Sequence, residues 1–300
     1  MIGKLVIIDG NAVMHRAFHA MPPLTTTKGE PINAVHGFVS MLLKVIQEVK
    51  PTHLAVAFDR KEKTFRQKEL PSYQAQRPEM MVELSSQFEK VREFLDAANI
   101  PVYSKAGYEA DDVIGTISKK AKKDVVIVTG DRDQLQLVDD KSDIKLYMPV
   151  AGLINAKLYG ESDVIERMGV PATQIVDLKA LTGDASDNYF GVPGIGPKTA
   201  ETLLSKYKTL KEIYKNLDEI SGKVKEKLIS GKKSAEQSFM LATIVRDVPI
   251  EIDFNKMDKW DLGSSKVINL FEEEFGFKTL TVRIKKIGED IEKEKQGNLF

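Results

Sequence analysis

The chain has 300 residues, 42% hydrophobic and 29% charged, with forty-four Lys and Arg against forty-four Asp and Glu and no cysteine. That composition supplies a sizeable core, enough for two domains at roughly 150 residues each, and excludes disorder as the main theme. The missing cysteine excludes disulfide frameworks, thiolate zinc sites, iron–sulfur clusters and thiol nucleophiles. No apolar run reaches the roughly 18 residues of a membrane span, and the opening MIGKLVIIDGNAV reads as a buried strand rather than a leader, so a cytoplasmic protein is expected.

In chain order, Leu5–Ile8, His53–Phe58, Ile100–Tyr103 and Val125–Thr129 are short apolar runs, several rich in β-branched residues. Between them, Phe38–Val49 and Glu83–Ala98 space apolar residues at three and four, as helices do. Strand alternating with helix predicts an α/β fold: a mostly parallel sheet with helices on both faces. One interval breaks the alternation. Arg60–Met81 has little periodicity, and from Arg60 to Arg77 it carries six Lys/Arg against two Glu. Structureless stretches of that length in compact domains are uncommon unless functional. After about Tyr159 the chain reads as helices: Ser162–Met168, Thr173–Leu181, Lys198–Tyr207, Ser234–Val245 and Lys266–Phe275. The expected division is an α/β core over 1–160, a helical region over 161–285 and a charged, frayed tail over 286–300.

Acidic residues fall where strands end. Asp9 follows LVII, Asp59 follows LAVAF and Asp131 follows VVIVTG, with Asp133 two residues on. Glu109, Asp111 and Asp112 lie in GYEADDVIG, just past the third run, and Asp184 and Asp187 lie in TGDASDN at a helix end. The carboxyl ends of parallel strands line one crevice, the usual ligand site of such sheets. Any one of these acids is as readily a turn residue or helix cap. Jointly they point to one pocket, where crowded carboxylates repel unless something positive sits among them. No His cluster or lysine run is interleaved with them in sequence, so hard divalent cations, Mg²⁺ or Mn²⁺, are the expected counter-charge. Two such ions about 3.5–4 Å apart would clamp the oxygens of a phosphodiester. Without those nine acids, thirty-five remain against forty-four basic residues, a basic exterior suited to nucleic acid.

GVPGIGPKTA, Gly191–Ala200, sits between two helices. It fails as a P-loop because Pro197 separates Gly196 from Lys198, and as a dinucleotide fingerprint because no strand precedes it. A helix–hairpin–helix over about 173–207 remains, with Gly191, Gly194 and Gly196 allowing a DNA backbone to approach. Lys198 and Thr199 stand at the N-terminus of the following helix. Nine lysines against four acids between Ser205 and Lys233 extend the basic side.

Through LVIIDGNAVMHRAFHAMPPL, NAVHGF, AVAFDR, GYEADDVIGT, VTGDRDQLQLV, LTGDASDN and GVPGIGPKTAETLL, the chain over roughly 4–205 resembles the 5′-nuclease (5′–3′ exonuclease) domain of bacterial DNA polymerase I, of the flap endonuclease superfamily. The resemblance implies a PIN-like core and a structure-specific nuclease acting on 5′ ends and flaps of DNA or RNA–DNA in primer removal and repair. It implies that all nine acids bind two divalent ions, and that Arg60–Pro101 forms a helical arch admitting a 5′ single strand. It further implies that Arg16 and Arg77 contact phosphates, that Tyr73 stacks on a base, and that backbone carbonyls of Val192 and Ile195 hold a potassium ion in the hairpin.

Three departures stand out. Gln74 replaces an arch lysine, and an amide can hydrogen-bond but not neutralise; a DNA-structure-binding protein with weakened catalysis is the alternative this raises. Tyr189-Phe190 replace Ile-Pro. No polymerase follows, so the chain either acts alone or is an excised domain. Gln296–Phe300, QGNLF, is similar to a sliding-clamp-binding peptide, and a monomer is expected. A PIN-type ribonuclease would lack the hairpin and the long arch, and Asn11 removes the second Asp that a haloacid-dehalogenase-type phosphatase needs.

Overall fold

The computed structural model describes residues 3–121, 124–151 and 155–297. Its centre is a six-stranded sheet in the order β3-β2-β1-β4-β5-β6. The first part of the chain supplies β1 (Leu5–Asp9), α1 (Gly10–Ala20), α2 (Asn33–Val49), β2 (His53–Ala57), α3 (Phe65–Glu69), α4 (Val82–Ser85), α5 (Gln87–Ala97) and β3 (Val102–Tyr103). Then come α6 (Ala110–Ala121), β4 (Val125–Val128), a 3₁₀ turn over Asp133–Leu137, β5 (Ile144–Ala151) and β6 (Asn155–Tyr159). All neighbouring pairs are parallel except β5–β6. The predicted mostly parallel sheet with helices on both faces is thus present, with an antiparallel edge.

Side-chain alternation explains the two faces. Leu5, Ile7, Ala55 and Ile127 point into one apolar cluster with Ile114 and Ile117 of α6. Val6, Ile8, Val56 and Val128 point into the other with Phe38 of α2 and Phe94 of α5. A strand buried on both sides reads as an unbroken apolar run, which is why these strands are legible. The pairing Ile8↔Val56 and Ile8↔Val128 aligns the carboxyl ends of β1, β2 and β4, so the residues just after them share one edge.

The interval 60–101 does not form a single arch. Leu84, Val91, Phe94 and Leu95 of α4 and α5 are buried in the second cluster. Gln87, fully enclosed, accepts from Ala34 N at 2.7 Å and Val35 N at 3.3 Å, capping α2 from a neighbouring helix. Apolar periodicity has pulled α5 into the core, leaving only about 60–81 over the cleft.

Beyond the sheet lie α7 (Glu161–Met168), α8 (Ile175–Thr182), α9 (Pro197–Tyr207), α10 (Leu210–Lys215), α11 (Gly222–Ser230) and α12 (Lys232–Ala242). The chain then returns. Trp260, Leu262 and α13 (Ser265–Asn269) pack on the α2/α5 face, followed by a π-turn over Leu270–Phe275 and α14 (Lys278–Gly297). The expected unit 161–285 is therefore split, because its last aromatic residues complete the N-terminal core. The expected frayed tail is helical as far as Gly297: Leu280, Ile284 and Ile287 bury one stripe of α14 beneath its charges. Of the Gln296–Phe300 peptide, the last three residues lie outside the described residues.

Candidate metal centre

Asp9 ends β1 and caps α1, its Oδ1 accepting from Ala12 N at 2.9 Å. Its Oδ2 accepts from Thr129 Oγ1 and Gln134 Nε2, both at 2.8 Å. Asp59, two residues beyond β2, accepts from Ala110 N at 2.7 Å and so ties that strand end to the start of α6. Asp131 Oδ1 accepts from Asp133 N at 2.8 Å, folding the loop after β4 into a tight turn. Asp9, Asp59, Glu109, Asp111, Asp131, Asp133 and Asp187 all line one cavity of about 640 Å³. Asp184 lines a neighbouring hollow of about 590 Å³ that also takes in Asp131, Asp133 and Arg16. Carboxylate oxygens of Asp133, Asp184 and Asp187 lie within 4.8 Å of one another.

The ninth acid is elsewhere. Asp112 is fully enclosed and paired with the equally buried Arg66 through two bonds of 2.8 Å. Its oxygens also accept from Glu109 N at 3.1 Å and Val245 N at 2.8 Å. Both its oxygens accept from protein donors, so in this structure Asp112 anchors α6 and does not line that cavity.

Cations do sit among the acids, contrary to the sequence reading. Lys179 of α8, nearly buried, donates to Asp133 and, at 2.5 Å, to Asp184. Arg66 reaches Glu109 Oε2 at 3.5 Å, and Arg77 donates to Asp187 Oδ1 at 2.5 Å. Apart from Lys179 and Asp184, five residues apart, each is distant in sequence from the acid it serves. The available signal was a single lysine in the otherwise apolar run IVDLKALT, whose other charge, Asp177, is buried and accepts from Leu210 N.

These charges only partly offset burial. Burial pushes Asp9 up to about 7 and Glu109 to about 7, and raises Asp59 and Asp111 as well. Burial also pushes Asp133 up to about 6 although Lys179 opposes it, whereas at half-buried Asp184 Lys179 and Ser186 outweigh burial and bring it down to about 2. His15 lines the same cavity, and burial lowers it.

The segment over the cleft lies down on the Asp184–Asn188 loop rather than standing as an arch. Gln74 N donates to Asp187 O at 2.9 Å, Gln76 Nε2 to Ala185 O at 2.6 Å, and Asn188 Nδ2 to Ser72 O at 2.8 Å. Tyr73 is buried, stacked on Tyr189 at 6.3 Å, and its hydroxyl donates to Glu109 and Asp187 at 3.3 and 3.2 Å. With only 4% of its surface exposed, Tyr73 serves in this structure as a hydrogen-bond donor on two carboxylates. Gln74 Nε2 meets Asp187 Oδ1 at 3.3 Å.

In the hairpin, Gly191 serves packing rather than an approaching strand. A Cβ there would come within 2.4 Å of Gly183 N and Leu181 O. Gly194 takes φ +80°, and its carbonyl accepts from Lys227 Nζ at 2.8 Å. Val192 O accepts from Ile195 N at 3.0 Å. Gly196 caps α9 without a side-chain bond; Pro197 follows at the first turn, with Lys198 exposed and Thr199 partly so. Arg16 is half-buried beside Gly130.

The family model for the 5′–3′ exonuclease N-terminal resolvase-like domain matches residues 4–169, and that for the 5′–3′ exonuclease C-terminal SAM fold matches 170–262. The chain belongs to the 5′–3′ exonuclease family. It is 43% identical over 284 residues to DNA polymerase I of Caldicellulosiruptor bescii, covering 94% of this chain and 33% of that one. To DNA polymerase I of Bacillus subtilis it is 41% identical over 297 residues, 98% of this chain and 33% of the relative. The chain thus spans about a third of these relatives. Among solved structures, T5 5′-exonuclease with bound divalent zinc ions superposes with TM-score 0.65 at 21% identity, over 96% of this chain and 99% of that one. The catalytic core of Rad2 in complex with DNA substrate gives TM-score 0.58 at 15% identity, over 94% and 93%. Both share the 5′–3′ exonuclease fold. Among the described residues no helix is long and apolar enough to cross a membrane.

Proposed function

We propose that this chain is a divalent-metal-dependent nuclease that hydrolyses phosphodiesters at 5′ ends and flaps of DNA or RNA–DNA duplexes, in primer removal and repair. The observation that carries the reading is the gathering of seven carboxylates from five separate segments into one cavity at the carboxyl edge of the sheet. An all-oxygen, anionic donor set suits Mg²⁺ or Mn²⁺ rather than zinc. Asp9, Asp59, Asp111, Asp131 and Glu109 would hold one ion, and Asp133, Asp184 and Asp187, with Asp131 between the groups, the second. When bound, the two ions supply charge neutralisation at the scissile phosphate and activation of water.

The chain's own residues supply positioning. Arg77 lines the cavity and Arg16 the neighbouring hollow, and both would engage phosphates. Lys198, Thr199 and the free N–H groups at the start of α9 would take a duplex phosphate. Val192 and Ile195 would offer carbonyls to a potassium ion. Gln296–Phe300 would recruit a sliding clamp, and the chain would act as a monomer in the bacterial nucleoid.

Gln74 favours the second reading, DNA-structure binding with weakened catalysis, since its amide already serves Asp187. Arg77 keeps a full charge on that same carboxylate, which supports the catalytic reading over it. A 5′-labelled flap incubated across a Mg²⁺ titration decides between them. Metal-dependent release of short products supports the nuclease; binding in EDTA with no cleavage at any Mg²⁺ concentration supports the rival.

A further inference from the structure

Gln134 is the first residue after Asp133 on the 3₁₀ turn, and none of its surface reaches solvent. Its amide nitrogen donates to Asp9 Oδ2 at 2.8 Å and to Asp111 Oδ1 at 2.6 Å, with Thr129 Oγ1 at 3.3 Å. The two N–H bonds of one amide thus join two carboxylates that come from β1 and α6. Asp9 is otherwise held by Ala12 N and Thr129 Oγ1.

The amide oxygen is buried and has no hydrogen-bond partner. Leaving such an acceptor unpaired costs about 1–3 kcal/mol, so packing alone would favour an apolar side chain of the same shape. The amide is therefore at this position for its nitrogen. A neutral donor between two anions lowers their repulsion and fixes their separation without adding a competing positive charge. Lys179 and Arg66, by contrast, hold their acids with full charges.

We infer that Gln134 is a positioning residue of the metal centre, tying Asp9 to Asp111 so that both face the same divalent ion. This rests on the metal-dependent reading above. Partners that orient metal-binding carboxylates typically change metal affinity by about 10–100-fold when removed.

The test is direct Mn²⁺ binding, by calorimetry and by electron paramagnetic resonance, to the full chain freed of metal with EDTA and desalted. Wild type is compared with Gln134→Met, and unfolding is followed in EDTA. Gln134→Met should bind Mn²⁺ about 10–100-fold more weakly, with flap-DNA affinity in EDTA unchanged. Mn²⁺ binding as tight as wild type would overturn the inference. Should Gln134→Met not fold, Gln134→Glu carries the test. A third anion facing Asp9 and Asp111 should lower Tm in EDTA and Mn²⁺ should restore it, whereas an unaltered Tm in EDTA would overturn the inference. Failure of wild type to bind Mn²⁺ would contradict the metal-centre reading itself.

Discussion

Arg66 holds Asp112 through two parallel N–H···O bonds of 2.8 Å with both side chains withdrawn from water. Arg66 also donates to Leu241 O at 2.8 Å and Thr243 O at 2.7 Å, so one guanidinium joins the segment over the cleft, α6 and the end of α12. Breaking a buried pair by removing one partner costs about 3–5 kcal/mol, because the other charge is stranded. Asp112→Asn should lose stability of that order while binding divalent ions as wild type does. Denaturant unfolding beside Mn²⁺ titration checks this; wild-type stability with lost metal would return Asp112 to the ligand set.

Lys179 is expected to stabilise the metal-free cleft. Lys179→Met leaves Asp133 and Asp184 facing each other without their cation. In EDTA its Tm should fall, at roughly 2–4 °C per kcal/mol for a chain of this size, and Mn²⁺ should recover most of the loss. Thermal melts with and without Mn²⁺ test this, and a deficit of equal size in both conditions would refute it.

The pH dependence of stability follows from the raised carboxylates. Asp9 and Asp133 ordinarily ionise near 3.8 and Glu109 near 4.5, but in the fold they are pushed up to about 7, 6 and 7. The folded chain therefore holds more protons than the unfolded chain between about pH 4 and 7, and their contribution to stability is lost as pH rises through that window. Asp184, held down at about 2, acts oppositely, its contribution being lost only in strong acid. In EDTA, Tm should fall from pH 5 to pH 8, and the fall should shrink with Mg²⁺ present. A Tm that rises over this range in EDTA would contradict it.

At position 74 an ammonium would add charge where the amide now only hydrogen-bonds. Gln74→Lys should accelerate flap cleavage, and Arg77→Ala should slow it by about 10²–10³-fold, the usual effect of removing a donor that stabilises developing charge. Single-turnover cleavage rates measure both. A slower Gln74→Lys enzyme would refute this account of the position.

Much of this was visible in the residues. The inner strands β1, β2 and β4 announce themselves because burial on both faces needs uninterrupted apolar runs, and the acids after them follow at once. β5 and β6 did not: Asn155–Tyr159 is a half-exposed edge strand and Pro149 interrupts its partner, so neither shows such a run. The cations were hidden for a different reason. Arg66 meets Asp112, and Lys179 meets Asp133, across 46 residues in opposite directions, and only the folded backbone brings such groups together. Gly191 reads as an open approach for DNA, yet its missing Cβ makes room for α8's last turn.

Asp131→Ala offers the most direct test, since Asp131 lies between the two groups of acids and caps the turn that carries Asp133. Cleavage of a 5′-labelled flap across a Mg²⁺ titration, with flap affinity in EDTA measured in parallel, should show cutting abolished and binding preserved. A variant that still cuts at the wild-type rate and with the wild-type metal requirement would contradict a metal centre built on these carboxylates.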